Sequence, residues 1–244
     1  MRLLSIPLVL ASLLSLTVEQ IQAQEPRADS ATYARANKPV FRWKEILGVT
    51  ATTGIALALD QTIRDELHDP HDALGRTLSD IGNGFGDGVI VYSTLLGLSV
   101  GGKVLGKRGV YGVSSRALKS TLVSGAAAMV LKSMIGRERP ADSPDSPFAF
   151  HPFKISDNSF PSGHSAVAFA LATSLAREIE GQWDDAAFFT LATLTAYSRM
   201  HDDRHWASDV VFGAGIGILS ARFVHRREAK LAVKRGMVGL SFSF

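Results

Sequence analysis

Apolar and small residues gather along the chain in runs that are long enough for helices. Six such segments follow Trp43, at about 46–60, 88–106, 117–135, 165–177, 186–198 and 209–224. Each segment is longer than an ordinary strand and lacks alternation with a period of two, and Ala, Leu and Gly dominate. The pattern predicts an all-α fold, a helical bundle of about six core helices.

Glycine and proline separate these segments. Glycine-bearing links at 80–88 and 106–112 divide the first three segments, and we expect the cluster from Gly82 to Gly88 to be a loop. The stretch 136–160 holds four of the nine prolines and predicts one long loop, which in a compact helical domain indicates function or disorder. Close helix contacts are expected at glycine pairs, namely Gly97 and Gly101, Gly102 and Gly106, and Gly213 and Gly217.

The N-terminus has the pattern of a secretory signal peptide. Arg2 precedes an apolar run from Leu3 to about Val18, and small and polar residues follow, which favours cleavage after Ala23. The alternative is an uncleaved membrane anchor, for which the apolar run is short. The predicted organisation is a signal peptide at 1–23, a flexible segment at 24–42, a helical domain at 43–226 and a C-terminal tail at 227–244.

Composition narrows the classes of function. The net charge of +3 and the pI near 9.3 fit anionic substrates or basic membrane loops, and they are too weak to indicate a nucleic-acid partner. The absence of cysteine excludes disulfides, thiolate metal sites and a cysteine nucleophile. Hydrophobic residues make up 46% of the chain, near the top of the soluble range, so membrane and soluble placements both stay open.

Three short stretches concentrate reactive side chains. They are Lys132–Pro140 with the pattern K-x6-RP, Pro161–His164 with the pattern PSGH, and Ser198–Asp209 with the pattern SR-x5-H-x3-D. All three lie at the ends of predicted helices or in the links between them. We therefore expect them to meet at one end of the bundle.

The cations in these stretches suit a tetrahedral oxyanion. Lys132, Arg139 and Arg199 lie near helix ends, and the two guanidinium groups can each bind an oxyanion through two bonds. Ser162 and Gly163 precede a helix, so their backbone N–H groups can point at an anion, which the helix dipole also favours. The five residues together predict a phosphate-binding site.

Two histidines add reactive nitrogens. His205 and Asp209 are four residues apart and share one face of a helix, so the carboxylate can hold one imidazole nitrogen as a donor. The other nitrogen is then left as a nucleophile or base. His164 supplies a second imidazole as a proton donor. Two histidines with different roles beside three cations indicate phosphoryl transfer through a histidine.

These motifs resemble the type-2 phosphatidic acid phosphatase superfamily, which includes bacterial class A acid phosphatases and vanadium haloperoxidases. The motifs span 132–209, and the helical pattern agrees from about 80 to 224. The resemblance implies that His205 attacks phosphorus and forms a phosphohistidine, that Asp209 orients it, and that His164 protonates the leaving oxygen. It further implies that no metal or other cofactor is needed. The implied phosphate-binding residues are Lys132, Arg139, Ser162, Gly163 and Arg199.

Several neighbours of the motifs have less specific interpretations. We interpret Arg137 as a solvated neighbour of the site, and Arg204 as either a neighbour or a ligand. His201 and His205 have the spacing of a metal pair, but the motif already assigns His205 to phosphorus. Trp206 is interpreted as a packing residue.

The charges of the links bear on placement in the cell. If residue 24 starts outside and 46–60 lies on the membrane surface, alternate crossings put all three motifs outside and the basic links 107–116 and 225–235 inside. If 46–60 spans as well, the site faces the cytoplasm. We expect a bacterial envelope protein, partly embedded in the inner membrane with its site facing the periplasm; a soluble periplasmic protein is the alternative.

The expected activity is a phosphatase on phosphate mono- or diphosphate esters. Lipid phosphates such as phosphatidate, phosphatidylglycerophosphate or undecaprenyl diphosphate are the expected substrates, because the apolar helices carry the site to a membrane face. A soluble acid phosphatase of broad specificity is the nearest alternative, followed by a vanadium haloperoxidase and by a catalytically silent membrane scaffold. The sequence does not indicate an oligomeric state.

Overall fold

The computed structural model describes residues 42–67, 73–154, 158–179 and 182–240. The predicted signal peptide, most of the predicted flexible segment and the last four residues lie outside these ranges. Seven helices and no strand occur within them, which confirms the all-α class. The helices are α1 (Trp43–Leu67), α2 (Ala73–Phe85), α3 (Gly88–Val104), α4 (Arg108–Ile135), α5 (Gly163–Leu175), α6 (Gln182–His201) and α7 (Ala207–Leu240).

Helix α5 is the centre of the bundle. Nearly all of its 13 residues are buried, and four alanines contribute no accessible surface, at positions 166, 168, 170 and 172. Helices α4, α6 and α7 pack directly around α5, while α3 packs on α4, α1 on α7 and α2 on α6. An apolar helix that is covered all round belongs to a core, which explains why α5 shows no polar face in the sequence.

Two glycines let α7 cross α5 at very short range. A Cβ added at Gly213 would lie 2.5 Å from the carbonyl oxygen of Ser162, and one added at Gly217 would lie 2.4 Å from that of Ala166. This predicted glycine pair is therefore a helix contact. Gly97 and Gly101 face open space, so the same spacing marks no contact there.

The glycine cluster after residue 80 is mostly helical, and the prediction of a loop was wrong for 82–85. A Cβ at Gly82 would lie 2.1 Å from the carbonyl oxygen of Leu194, and one at Gly86 would lie 2.8 Å from that of His164. These glycines allow close approach between backbones. Helix α2 is therefore a seventh helix, in addition to the six predicted segments.

Among the described residues, three helices are long and apolar enough to cross a membrane: α1, α4 and the Ala207–Val233 part of α7. Helices α2 and α3 would form a fourth span if the pair, bent by 44°, is taken as one. Helix α1 has 25 residues, so the expectation of a short surface segment at 46–60 was wrong about its length. Helix α7 continues past residue 226, so the predicted tail begins inside that helix.

Candidate active site

The three motifs meet at one end of the bundle. The first runs from the last turn of α4 into the residues after it, the second leads into α5, and the third runs from the end of α6 into the first turn of α7. The backbone N–H of Ser162 donates to the carbonyl oxygen of Asp209 at 2.9 Å, and the N–H of Ala141 donates to that of Asp203 at 3.2 Å. These bonds tie the second motif, and the segment that follows the first, to the third.

His205 is a buried imidazole held by a carboxylate. Its Nδ1 lies 3.6 Å from Oδ2 of Asp209 and 3.5 Å from Oγ of Ser159. Burial lowers the pKa of His205 to about 4, and the charges of Lys132 and Arg139 act in the same direction. The ring is therefore neutral near pH 7, with the Nδ1 proton facing the carboxylate and the lone pair on Nε2, the nitrogen turned away from Asp209.

Asp209 is saturated by hydrogen bonds from several elements. Its Oδ2 accepts the backbone N–H of Trp206 at 2.9 Å and the hydroxyl of Ser159. Its Oδ1 accepts Arg137 at 2.5 Å. The carboxylate lies in the first turn of α7, where the helix dipole favours negative charge.

Asn158 and Ser159 hold two of the predicted cations. Lys132 donates through Nζ to the carbonyl oxygen of Asn158 and, at 3.2 Å, to that of Ser159. Arg139 donates twice to Oδ1 of Asn158, at 3.1 and 2.7 Å. Arg199 is held from another side, where Oδ2 of Asp202 accepts its guanidinium at 3.3 Å. No sequence pattern indicated Asn158 or Ser159, because the partners of a loop residue become visible only in the fold.

His164 is the second residue of α5 and is largely buried. Its pKa is lowered to about 4, first by burial and then by the charge of Arg199, with further contributions from Lys132 and Arg139. Lys132 and Arg139 therefore act on both imidazoles.

The start of α5 differs from the prediction in one detail. The side chain of Ser162 accepts the N–H of Ser165 as the N-cap of the helix, and the N–H of Ser162 is engaged by Asp209. The expectation that this N–H points at an anion was wrong, since it bonds to a carbonyl oxygen. The hydroxyl of Ser162 and the N–H of Gly163 remain for that role; a Cβ at Gly163 would lie 3.8 Å from Cε of Lys132.

Arg137 is completely buried, and its interpretation as a solvated neighbour was wrong. The guanidinium donates to Oδ1 of Asp209, to Oγ of Ser208 at 2.7 Å and to Oδ2 of Asp60 at 2.7 Å. Arg137 and Arg139 carry the same side chain two residues apart, so the local pattern cannot show which of them turns inward. Trp206 is buried beside Arg137, which confirms its role in packing.

The two aspartates before His205 anchor their turn to different helices. The carboxylate of Asp202 accepts hydrogen bonds from Oγ of Ser79 at 2.7 Å and from Nδ2 of Asn83 at 3.1 Å, and both donors belong to α2. Asp203 has a left-handed backbone with φ of 54° and accepts two bonds from Arg64 of α1, at 3.0 and 2.8 Å. The turn that positions His205 is therefore held from both sides.

His201 faces a carboxylate and an aromatic ring. Its Nδ1 lies 3.4 Å from Oδ1 of Asp202, and its ring lies 5.5 Å from that of Tyr197. The Nδ1 of His205 is directed toward Asp209 instead, so the Nδ1 atoms of the two histidines face different carboxylates.

Comparison with known proteins agrees with this architecture. The sequence profile of the PAP2 superfamily matches residues 115–231, a segment that contains all three motifs. Residues 115–231 belong to this superfamily, and the resemblance seen in the motifs is confirmed.

Two proteins with known names or structures are similar to parts of the chain. The lipid A 1-phosphatase of Porphyromonas gingivalis is 50% identical over 64 residues, which cover 25% of this chain and only 14% of that relative. The crystal structure of LpxE from Aquifex aeolicus superimposes with a TM-score of 0.51 and 24% identity, covering 69% of this chain and 93% of the other. The second similarity shows a shared fold.

Proposed function

We propose that this protein is a metal-independent phosphatase of the bacterial envelope that removes phosphate from lipids through a phosphohistidine on His205. The observation that carries the proposal is the buried, neutral His205, which Asp209 holds by Nδ1 at the end of the bundle where the three cations gather. The membership of residues 115–231 in the PAP2 superfamily supports it.

In the first step, Lys132, Arg139 and Arg199 bind the phosphoryl oxygens and offset the charge that develops on them. The lone pair of Nε2 on His205 forms a bond to phosphorus while the bond from phosphorus to the leaving oxygen breaks. His164 donates a proton to that oxygen. The negative charge of the substrate offsets the cations that keep the pKa of His164 low, so binding itself favours the protonated imidazole.

In the second step, water attacks the phosphohistidine. His164, now neutral, accepts a proton from the water as the new bond from oxygen to phosphorus forms. The bond from phosphorus to Nε2 breaks, and its electron pair returns to His205. Inorganic phosphate leaves, and the enzyme regains its starting protonation.

Exposed aromatic residues beside the site support a lipid substrate. Phe148 and Phe153 belong to the long loop and are 64% and 75% exposed. The backbone of this loop pairs with the residues after α4, through bonds from Glu138 to Ala149 and from His151 to Gly136. The last turns of α4 expose further apolar side chains, Met129, Val130 and Met134. Exposed apolar side chains on the loop and on α4 beside the proposed phosphate site suit a headgroup that is anchored by hydrocarbon.

The candidate substrates are phosphatidate, phosphatidylglycerophosphate and undecaprenyl diphosphate, to which the name of the Porphyromonas relative adds lipid A. A soluble acid phosphatase is the second candidate function, which the short α5 of 13 residues favours because it falls well below the length of a span.

The test is a phosphate-release assay over a panel of these lipids in mixed micelles, with p-nitrophenyl phosphate as the soluble control. We expect release from one or more lipids at a far higher kcat/KM than from the soluble ester. Orthovanadate should inhibit, and EDTA should leave the rate unchanged. Release from the soluble ester alone would favour the acid phosphatase, and no release from any substrate would refute the proposal.

A further inference from the structure

A buried charged cluster lies directly behind Asp209. It consists of Arg137, Asp60, Ser208 and Asp209, which are at most 1% exposed. The four residues come from three different parts of the chain, since Asp60 belongs to α1, Arg137 follows α4, and the other two lie in the first turn of α7. Such a cluster is costly to bury unless every charge has partners of good geometry.

Every member of this cluster is held by several bonds. Asp60 accepts the backbone N–H of Ser208 at 2.8 Å, the hydroxyl of Ser208 at 2.7 Å and the guanidinium of Arg137 at 2.7 Å. Two aromatic rings flank the guanidinium, with the ring centroids of Phe150 and Trp206 at 5.1 and 5.3 Å from its central carbon. Arg137 is thereby fixed in one orientation.

The two carboxylate oxygens of Asp209 have different partners. Oδ1 is engaged by Arg137, whereas Oδ2 faces the Nδ1 of His205. If the partner of Oδ1 is lost, only the bonds from Trp206 and Ser159 to Oδ2 hold the carboxylate, and the plane of the group opposite the imidazole is no longer fixed. Arg137 touches neither His205 nor the predicted phosphate ligands through any bond described here, so it acts through Asp209.

We propose that Arg137 is a positioning residue that fixes Asp209, and through it the tautomer and direction of His205. Asp60 of α1 serves as the second anion that fixes Arg137. Helix α1 lies outside the segment that matches the superfamily profile, and it nevertheless contributes Asp60 to the cluster behind Asp209. This inference rests on the proposed function, because it assigns a role within the same reaction.

The test compares Arg137→Lys and Asp60→Asn with the wild-type protein in detergent. Lysine keeps the charge but cannot bridge two carboxylates in a plane, and asparagine keeps the shape of Asp60 but removes its charge. We expect kcat to fall by about tenfold or more in Arg137→Lys, the scale seen when a group that orients a reactive ligand is removed. We expect a smaller fall in Asp60→Asn. KM and the inhibition constant of inorganic phosphate should stay within about twofold, because the phosphate ligands are untouched.

Arg116→Lys is the matched control. Arg116 of α4 also makes two bonds to one carboxylate, that of Glu178 after α5, but this pair lies at the end of the bundle opposite the three motifs. Its kcat should stay near the wild-type value. Equal losses of kcat in Arg137→Lys and Arg116→Lys, or losses of phosphate affinity that match those of kcat, would overturn the inference.

If Arg137→Lys does not fold, Asp60→Asn and the double variant Asp60→Asn with Ser208→Ala carry the test by the same criteria. A kcat at the wild-type level in folded Arg137→Lys or Asp60→Asn also overturns the inference. Activity of the wild-type protein separates the two claims: turnover in the wild type with unchanged variants refutes only the positioning role, whereas no turnover in the wild type refutes the proposed function.

Discussion

His205 and His164 are buried next to cations, and this environment sets the pH range of activity. The pKa of each ring lies at about 4 in the free enzyme, where burial and the cations outweigh the opposing charges of Asp209 and Asp87. His205 must be neutral to attack, and its neutral fraction falls only as the pH drops through about 4. We therefore expect the acid limb of kcat/KM, corrected for the ionisation of the phosphate ester, to lie near pH 4. A limb centred near 6.5 would contradict this burial.

The roles of the two histidines differ in their dependence on the leaving group. His164→Ala should slow turnover strongly for an alkyl phosphate, whose leaving oxygen needs a proton, and by about 10- to 100-fold less for p-nitrophenyl phosphate, whose leaving oxygen is stable as an anion. Paired kcat/KM values for the two esters measure this. The same loss for both esters would argue against His164 as the proton donor.

At this scale the sequence indicated the side chains to which the proposal assigns chemical roles, and it missed those that hold them. His205, Asp209, Lys132 and Arg139 come from motifs of fixed spacing, and the fold brings them to one end of the bundle. Asp60 lies 148 residues from Ser208, to which it bonds, and no spacing rule reaches across that separation. It resembled an ordinary polar residue at the edge of an apolar segment.

The glycines of α2 allow close packing between helices and do not form a turn. Gly82→Ala would place a methyl group 2.1 Å from the carbonyl oxygen of Leu194, so the two helices would have to separate. We expect a loss of about 1–3 kcal/mol in stability, the usual cost of overpacking. The control is Gly97→Ala in α3, where the space is open and we expect a gain of up to about 1 kcal/mol. Thermal denaturation in detergent compares the two.

If the two variants Gly82→Ala and Gly97→Ala have the same thermal stability, α2 and α6 do not approach as closely as described. The sequence could not distinguish these glycines, because close backbone approach and turn formation both select a residue without a side chain. Composition alone favoured the turn, since six of the seven residues at 82–88 are glycine, asparagine or aspartate.

The exposed phenylalanines of the long loop distinguish lipid from soluble substrates. We expect Phe148→Ser with Phe153→Asn to lower kcat/KM for a lipid phosphate in vesicles by about tenfold, because two apolar anchors are removed. Turnover of p-nitrophenyl phosphate should be unchanged. Trp183→Ser is the control, because Trp183 is 84% exposed and belongs to the opposite end of α6, near the start of that helix. Equal losses on both substrates would indicate a distorted loop instead.

Charge is unevenly distributed between the two ends of the whole molecule. The end opposite the site carries a basic link around Lys107 and a basic segment of α7, where Arg222 pairs with Glu45 at 3.2 Å. The start of α1 therefore lies at the basic end, and its C-terminal part reaches the site through Arg64. For a protein that spans the inner membrane, this distribution of positive charge predicts that the basic end faces the cytoplasm and the site faces the periplasm.

This arrangement makes the predicted signal peptide incompatible with the predicted topology when α1 spans the membrane. If α1 crosses the membrane, the residues before it lie on the side of the basic end, so a cleaved signal peptide and a periplasmic site are not both compatible with a spanning α1. A protein whose helices lie at the membrane without crossing it would satisfy both. The sequence already indicated this alternative for a spanning segment at 46–60, and the 25-residue length of α1 brings it into consideration.

The chain contains no cysteine, so single cysteines can test the orientation directly. Ser146 lies exposed at the site end and Lys107 lies exposed at the basic end. We expect a membrane-impermeant maleimide to label Ser146→Cys in intact spheroplasts and to label Lys107→Cys only after lysis. The reverse pattern would put the site in the cytoplasm, and labelling of both before lysis would indicate a protein that does not span the membrane.

The central claim is that phosphorus becomes bonded to His205, and a trapping experiment with a ³²P-labelled lipid phosphate tests it most directly. Rapid quenching in alkali, followed by electrophoresis and peptide mapping, should reveal a label that is stable to base, labile to acid and located on His205. The label should be absent from His205→Ala and should persist longer in His164→Ala, where water is activated more slowly. A label on any other residue, or full turnover by His205→Ala, would contradict the account.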